Sequence, residues 1–342
     1  MFKDSLGKLT RGEDLTADEV TEFVENMRDD VITEVQIAGF LVALVMKGPS
    51  VDEVAAITRA MRANCVQIAP KVKGNLTDVC GTGGGLTTFN ISSANALLTA
   101  SAGVPVAKHG SRSISASSGS ADALEALGVN VELTPEQGER LIEEVGISFL
   151  YAPNFHPLML KVFFPELALG IKTIFFTIIG PLINPAGAPH HMMGVYQPHL
   201  VDLVSQAAAQ LDMKHVIVAH GVDGLDEISI LGPSTIAEVK GTKVEKYEIA
   251  PEDFGFKRAT FEDVKGGDPA FNAGVIRGIF SGEDQGPRRD FLVLNNAFAL
   301  VAAGVVDRPE DGIKKANENL DSGRATAKLE ELVSASHQFA KA

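Results

Sequence analysis

Cysteine is nearly absent: Cys65 and Cys80 are the only two in 342 residues. Two cysteines cannot make a disulfide scaffold, and neither is expected to belong to a metal-ligand cluster. Buried free thiols in a reducing compartment are the expectation. Long apolar runs are missing as well. The most apolar segment, residues 173–183, is too short to cross a bilayer, and the N-terminal MFKDSLGKLTRGEDL lacks the apolar stretch of a secretory signal. No membrane partner and a cytoplasmic location are therefore expected. Positive charge is in short supply: 30 Lys and Arg against 44 Asp and Glu leave a net charge of −14. Binding nucleic acid over a broad face needs clustered cations, so the balance argues against such a partner but leaves room for a local phosphate pocket. Glycine, in contrast, is plentiful at 33 residues, a sign of tight turns or of backbone packed close to a ligand.

A chain of 342 residues fits one large or two unequal domains. Three helix starts are legible near the N-terminus. Thr16 and Glu19, Thr33 and Gln36, and Ser50 and Glu53 each have the spacing of a capping box. Apolar residues follow at helical spacing, as in Val20, Phe23, Val24 and Met27, so residues 1–68 are expected to form a small helical unit. Past Pro70 the pattern alternates. LTDVCG, VPVAKHG, ISFLYA, TIFFTII and HVIVAHG read as strands, with helices at about 92–102, about 121–127, from Thr134 onward, and about 200–211. ISIL, STIAEV and VEKYEI are closely spaced strand candidates that suggest an antiparallel addition at one end of the sheet. Helices near 270–280, 290–303, 309–320 and 323–336 finish the chain. The alternation predicts an α/β fold with a mostly parallel sheet covered on both faces.

Three constellations could carry chemistry. Gly81, Thr82, Gly83, Gly84 and Gly85 follow a strand and precede Asn90, Ser92 and Ser93 at a helix start. Exposed amides and hydroxyls there can converge on an anion. Neither GK[ST] nor GxGxxG is present, which excludes a P-loop and disfavours a dinucleotide-binding dehydrogenase. Lys108, His109, Ser111 and Arg112 follow the strand VPVA, at the edge where parallel sheets hold ligands, and lead into a serine-rich loop that includes Ser117. Asp223, Asp226 and Glu227 follow HVIVAHG. Adjacent carboxylates need a compensating cation, and Mg²⁺ bridging substrate phosphates is one such partner.

These motifs also carry a resemblance. GTGG with TFNISSANALL, KHG-x-R, SGSADALEALG, FHPLM, GPLINPAG, GVYQPHLVDLV and HGVDGLDEISILGP together resemble the anthranilate phosphoribosyltransferases, over nearly the whole chain. The resemblance implies a nucleoside phosphorylase-like (class III) phosphoribosyltransferase fold. Residues 1–68 with about 165–190 would form a small helical domain, and 69–164 with 191–342 a large α/β domain. It implies a homodimer that joins anthranilate to phosphoribosyl pyrophosphate (PRPP) in tryptophan biosynthesis, releasing pyrophosphate with Mg²⁺. By position it assigns catalysis to Lys108 and Arg112. The donor falls to Gly81, Thr82, Gly83, Gly84, Asn90, Ser92, Lys108 and Ser117, the acceptor to His109, Ser111 and Glu166, and Mg²⁺ to Ser92, Asp226 and Glu227.

The sequence departs from the family at marked places. Gly85-Leu86-Thr87 replaces a longer segment that carries an Asp, Ser111 replaces an Asn, and the serine-rich loop lacks a lysine. Glu166 and Leu167 stand where the family has two arginines, and Lys172 and Phe176 replace Arg and Asn. Glu166 would set a negative charge against a carboxylate-bearing acceptor. On that ground anthranilate turnover is expected to be weak or absent. The alternatives are a paralogue with another aromatic acceptor, or an inactive family member that binds a ligand or nucleic acid.

Overall fold

The computed structural model describes residues 2–83, 85–113 and 117–340. Four helices open it: α1 (Phe2–Thr10), α2 (Ala17–Arg28), α3 (Glu34–Lys47) and α4 (Val51–Ala63). All three expected capping boxes are present, at Thr16, Thr33 and Ser50. α1 escaped the sequence reading because it has no such cap.

β1 (Thr77–Gly81), α5 (Ile91–Ser101), β2 (Val106–Gly110), α6 (Ser120–Ala126), α7 (Pro135–Val145) and β3 (Ile147–Tyr151) follow. A short turn, α8 (Ala152–Phe155), leads into α9 (Pro157–Leu169) and a wide helical turn at Phe175–Ile179 that runs into α10 (Gly180–Leu182). Then come β4 (His190–Gly194), α11 (Pro198–Ala209), β5 (His215–Gly221), β6 (Ser234–Lys240) and β7 (Lys243–Ile249). The chain ends with α12 (Phe261–Val264), α13 (Pro269–Ser281), α14 (Pro287–Ala302), α15 (Pro309–Asp321) and α16 (Arg324–Phe339).

The seven strands lie in the order β3-β2-β1-β4-β5-β6-β7. β1 to β5 are parallel, while β6 and β7 add on antiparallel, as the close spacing of their sequences suggested. Two strand expectations are corrected. TIFFTII is helical: Phe175, Thr177, Ile178 and Ile179 are all buried, and a segment buried on every side has no period that separates helix from strand. ISIL is not a regular strand, although Ile228 and Ile230 are fully buried. On its side away from β2, β1 pairs with HHMMG, whose two histidines and terminal glycine do not read as strand-forming.

Alternation along the strands builds two cores. Met193, Val216 and Val218 face α11 and the N-terminal helices, with Phe40, Val162 and Phe175 in the same cluster. Val79, Met192 and Ile217 face α5 and α14. Among the described residues no helix is long and apolar enough to cross a membrane. The chain leaves β1 toward β2 and β3 on one side, and returns through β4 toward β5 on the other. The carboxyl ends of β1 and β4 therefore flank a topological switch point, where open α/β sheets leave a crevice.

Candidate active site

At that crevice β1 ends in Gly81 and β4 in Gly194. The loop carrying Asp226 runs so close beneath that a Cβ on Gly194 would overlap the Asp226 carbonyl, and one on Gly81 would meet the Asp226 carboxylate. Only glycine admits this approach. Asp226 is buried, and its Oδ2 accepts a hydrogen bond from the Gly83 amide at 2.7 Å. Glu227 Oε1 accepts from the Thr88 hydroxyl at 3.2 Å, while Oε2 is buried without a partner. Burial raises the pKa of both acids, and the charge of Asp226 raises that of Glu227 further. Two adjoining carboxylates, one buried and one half-buried with a buried unpartnered oxygen, are a donor set suited to a hard divalent cation.

Ser92, in the first turn of α5, lines the same small cavity of about 10 Å³ as Asp226, Glu227 and Asn295. Lys108 reaches it from β2. Its ammonium, on a side chain only 2% exposed, donates to the Val79 carbonyl at 2.9 Å and to Ser92 Oγ at 3.4 Å. Burial lowers the Lys108 pKa, against the opposing pull of Asp78 and Cys80. The structure thus brings together Gly81, Gly83, Ser92, Lys108, Asp226 and Glu227. Thr82 is buried beside Gly83 with an unpartnered hydroxyl. Asn90 caps α5 in the left-handed conformation, at φ 60°. Its Oδ1 accepts from Ser118 Oγ at 2.8 Å and from Asn272 Nδ2 at 2.7 Å, which ties the serine-rich loop and α13 to the root of α5. Gly84 lies outside the described residues.

Of the residues expected on the acceptor side, His109 is buried, and its ring packs edge-on against His156 at 4.9 Å. Burial depresses both imidazoles, His156 to about 4, and His109 Nε2 and both His156 nitrogens have no partner. Two neutral rings therefore face one another.

The remaining predicted residues make contacts within the protein. Ser111 is exposed, and its carbonyl accepts from the Ala121 amide at 3.3 Å. The Ser117 hydroxyl donates to the Gly267 carbonyl at 2.9 Å. The Arg112 guanidinium is paired with Glu125, Glu132 and Asp122 and leans over the Tyr151 ring. Its charge is spent on carboxylates. Glu166 is 6% exposed, and its carboxyl accepts from the amide of Thr173 at 3.1 Å and from the Thr173 hydroxyl. Burial raises its pKa. The charge reversal at this position is thus absorbed by the turn that closes α9.

Sequence reasoning missed Asn295. From α14 it accepts from the Ile228 amide at 3.0 Å and donates to the Ile228 carbonyl at 2.8 Å, holding the residue next to Glu227 where no strand does so. The signal was the Asn295-Asn296 pair inside an otherwise apolar helix. Strand pairing sets Cys80 beside Asp78 and His191, which linear spacing cannot reveal.

A glycine loop over paired carboxylates, at the switch point of a sheet joined to a helical bundle, defines a glycosyl transferase of the class III phosphoribosyltransferase fold. Residues 3–65 match the helical bundle domain of the glycosyl transferase family, and residues 73–326 match its a/b domain. The chain belongs to the anthranilate phosphoribosyltransferase family. It is 44% identical to the anthranilate phosphoribosyltransferase of Acetivibrio thermocellus over 99% of this chain and 98% of that one. The crystal structure of the enzyme from Thermus thermophilus superposes with a TM-score of 0.91 at 38% identity, covering 98% of this chain and 99% of that one. The Saccharomyces cerevisiae enzyme, solved with PRPP and Mg, shares the fold at 24% identity and a TM-score of 0.83, over 94% and 92% of the two chains. These likenesses overturn the expectation of doubtful anthranilate activity. The family's identity runs through the whole chain despite the substitutions at 111, 166 and 176, and Glu166 is engaged by Thr173 instead of standing free in the cleft.

Proposed function

We propose that this chain transfers the phosphoribosyl group of PRPP to the amine of anthranilate and releases pyrophosphate, as its relatives are named for doing. The observation that carries the reading is the Asp226–Glu227 pair, with its buried, unpartnered Glu227 oxygen, set against Ser92 and Lys108 under a glycine loop. Ser92, Asp226 and Glu227 would hold Mg²⁺, which when bound neutralises charge on the departing pyrophosphate. The Gly83 amide, the Ser92 hydroxyl and the Lys108 ammonium grip the donor phosphates and are preorganised for the charge that develops as the anomeric bond breaks. The neutral rings of His109 and His156 orient the flat acceptor. Its amine is weakly basic and needs placement more than a strong base. Arg112 acts from a distance, fixing the strand-to-loop junction through its carboxylate partners.

Residues 1–68 and 165–190 are read as one helical unit, closing over the α/β part when the donor binds. A homodimer is supported by exposed apolar residues on two packed helices: Val35 and Met46 on α3 are 81% and 80% exposed, and Phe164 and Leu167 on α9, which runs into that unit, are 54% and 60% exposed. A second copy covering these residues would remove them from water. Free thiols and a net charge of −14 support a cytoplasmic protein with no nucleic-acid partner. The test mixes the chain with PRPP, Mg²⁺ and anthranilate. Loss of anthranilate matched one to one by pyrophosphate is expected; bound PRPP without pyrophosphate release on adding anthranilate would refute the assignment.

A further inference from the structure

Asp78, Cys80 and His191 meet on two neighbouring strands. Asp78 and Cys80 are two residues apart on β1 and share a face, and His191 on β4 is the cross-strand partner of Asp78. Cys80 Sγ lies 3.1 Å from His191 Nε2, and that nitrogen lies 3.8 Å from Asp78 Oδ2. All three ligand atoms are within 4.8 Å of one another. Asp78 is already oriented: Asn184 Nδ2 donates to Oδ2 at 2.7 Å, and the His109 amide donates to Oδ1 at 3.3 Å. Lys108, by alternation along β2, projects from the opposite face toward Ser92.

We infer that this cluster binds a thiophilic divalent cation of the zinc class, at a site separate from the Asp226–Glu227 pair. Thiolate, imidazole and carboxylate are the ligands zinc takes, with bonds of about 2.3 Å to sulfur and about 2.0–2.2 Å to nitrogen and oxygen. A tetrahedron built on those bonds places its ligand atoms roughly 3.3–3.6 Å apart. The observed 3.1 and 3.8 Å bracket that range, so small side-chain rotations admit the metal. Charge balances as well. Coordination forms a sulfur–metal bond and releases the Cys80 thiol proton to solvent, and the resulting thiolate and the Asp78 carboxylate neutralise the dication. The hydrogen bond from Asn184 is the outer support that a ligating carboxylate requires. Three protein ligands leave a fourth position open for a water or another exchangeable ligand. Sulfur excludes Mg²⁺ here, just as the all-oxygen pair excludes a soft ion there, so the two sites sort their cations by ligand chemistry.

Cobalt(II) reads the site directly, because a thiolate ligand gives it a charge-transfer band that nitrogen and oxygen ligands do not. The full chain, stripped with chelator, is titrated with Co²⁺. One equivalent is expected to raise the band, Zn²⁺ to displace it stoichiometrically, and excess Mg²⁺ to leave it unchanged. The band should survive in Cys65→Ser and in Glu227→Gln, vanish in Cys80→Ser, and require about tenfold or more added cobalt in His191→Gln. A wild-type chain without a thiolate band overturns the inference with no variant needed. So does a band that persists in Cys80→Ser, or one that disappears in Cys65→Ser.

Discussion

Replacing Glu227 with Gln should make the unliganded protein more stable while impairing its use of Mg²⁺. The wild-type side chain is a half-buried acid beside a second acid, and its buried Oε2 has no hydrogen-bond partner. An unsatisfied buried polar group costs about 1–3 kcal/mol, more when charged. The amide is nearly isosteric, keeps an oxygen for the Thr88 hydroxyl, and can donate toward the Asp226 carboxylate. A gain of about 1–3 kcal/mol in unfolding free energy follows, a rise of several degrees in Tm for a chain of this size. The sign of the pH dependence is fixed by the direction of the shift. The folded pKa of Glu227 lies above its unfolded value, so the native state binds more protons, and stability falls as pH rises from the ordinary carboxylate range toward the folded pKa. The advantage of Glu227→Gln should therefore grow with pH across that window and level off above it. Thermal and denaturant unfolding in chelator, from acid to neutral pH, measures this. A variant less stable than wild type at neutral pH, or one with a constant difference, would refute the reasoning.

Lys108→Ala should weaken PRPP binding by roughly 1–3 kcal/mol, the range for a lost charged hydrogen bond, as read by calorimetry; unchanged affinity removes Lys108 from the donor site. Asn295→Ala frees the Ile228 peptide next to Glu227, so the enhancement of PRPP binding by Mg²⁺ should fall about tenfold while binding in chelator changes little. Asn296→Ala, which loses contacts only to Asn95 and Thr99 on α5, should lower stability without altering that enhancement. Equal effects from the two would make Asn295 merely structural. Phe164→Glu with Leu167→Glu should halve the sedimentation mass if the exposed apolar residues on α3 and α9 form the contact between copies.

Local signals carried much of the architecture into view. Each capping box at Thr16, Thr33 and Ser50 needs only residues three apart, and β5 announced itself through HVIVAHG. The failures arose where tertiary packing set the conformation. TIFFTII is rich in strand-favouring residues, yet it sits between helices with nearly every side chain buried, and composition alone cannot choose. HHMMG forms the central strand β4 because β1 and β5 supply its partners. Among site residues, Gly83, Ser92, Lys108, Asp226 and Glu227 were legible from motifs and converge in space. The outcome at Glu166 was not legible, because its charge is answered by Thr173, seven residues on, across a turn that the sequence did not reveal. Cys80 and His191 are 111 positions apart and adjoin only through strand pairing.

The hydrogen bond from Gly83 to Asp226 has a thermodynamic consequence. If the Gly83 amide grips a donor phosphate as proposed, a carboxylate oxygen resting on that amide is an internal stand-in for a phosphate oxygen, and the chain at rest competes with its own ligand. On that reading a cation that draws Asp226 away would release the amide, and an anion that claims the amide would release the carboxylate. Each ligand thus removes the obstacle to the other, and linkage requires that the factor by which either sharpens its companion's binding be the same in both directions.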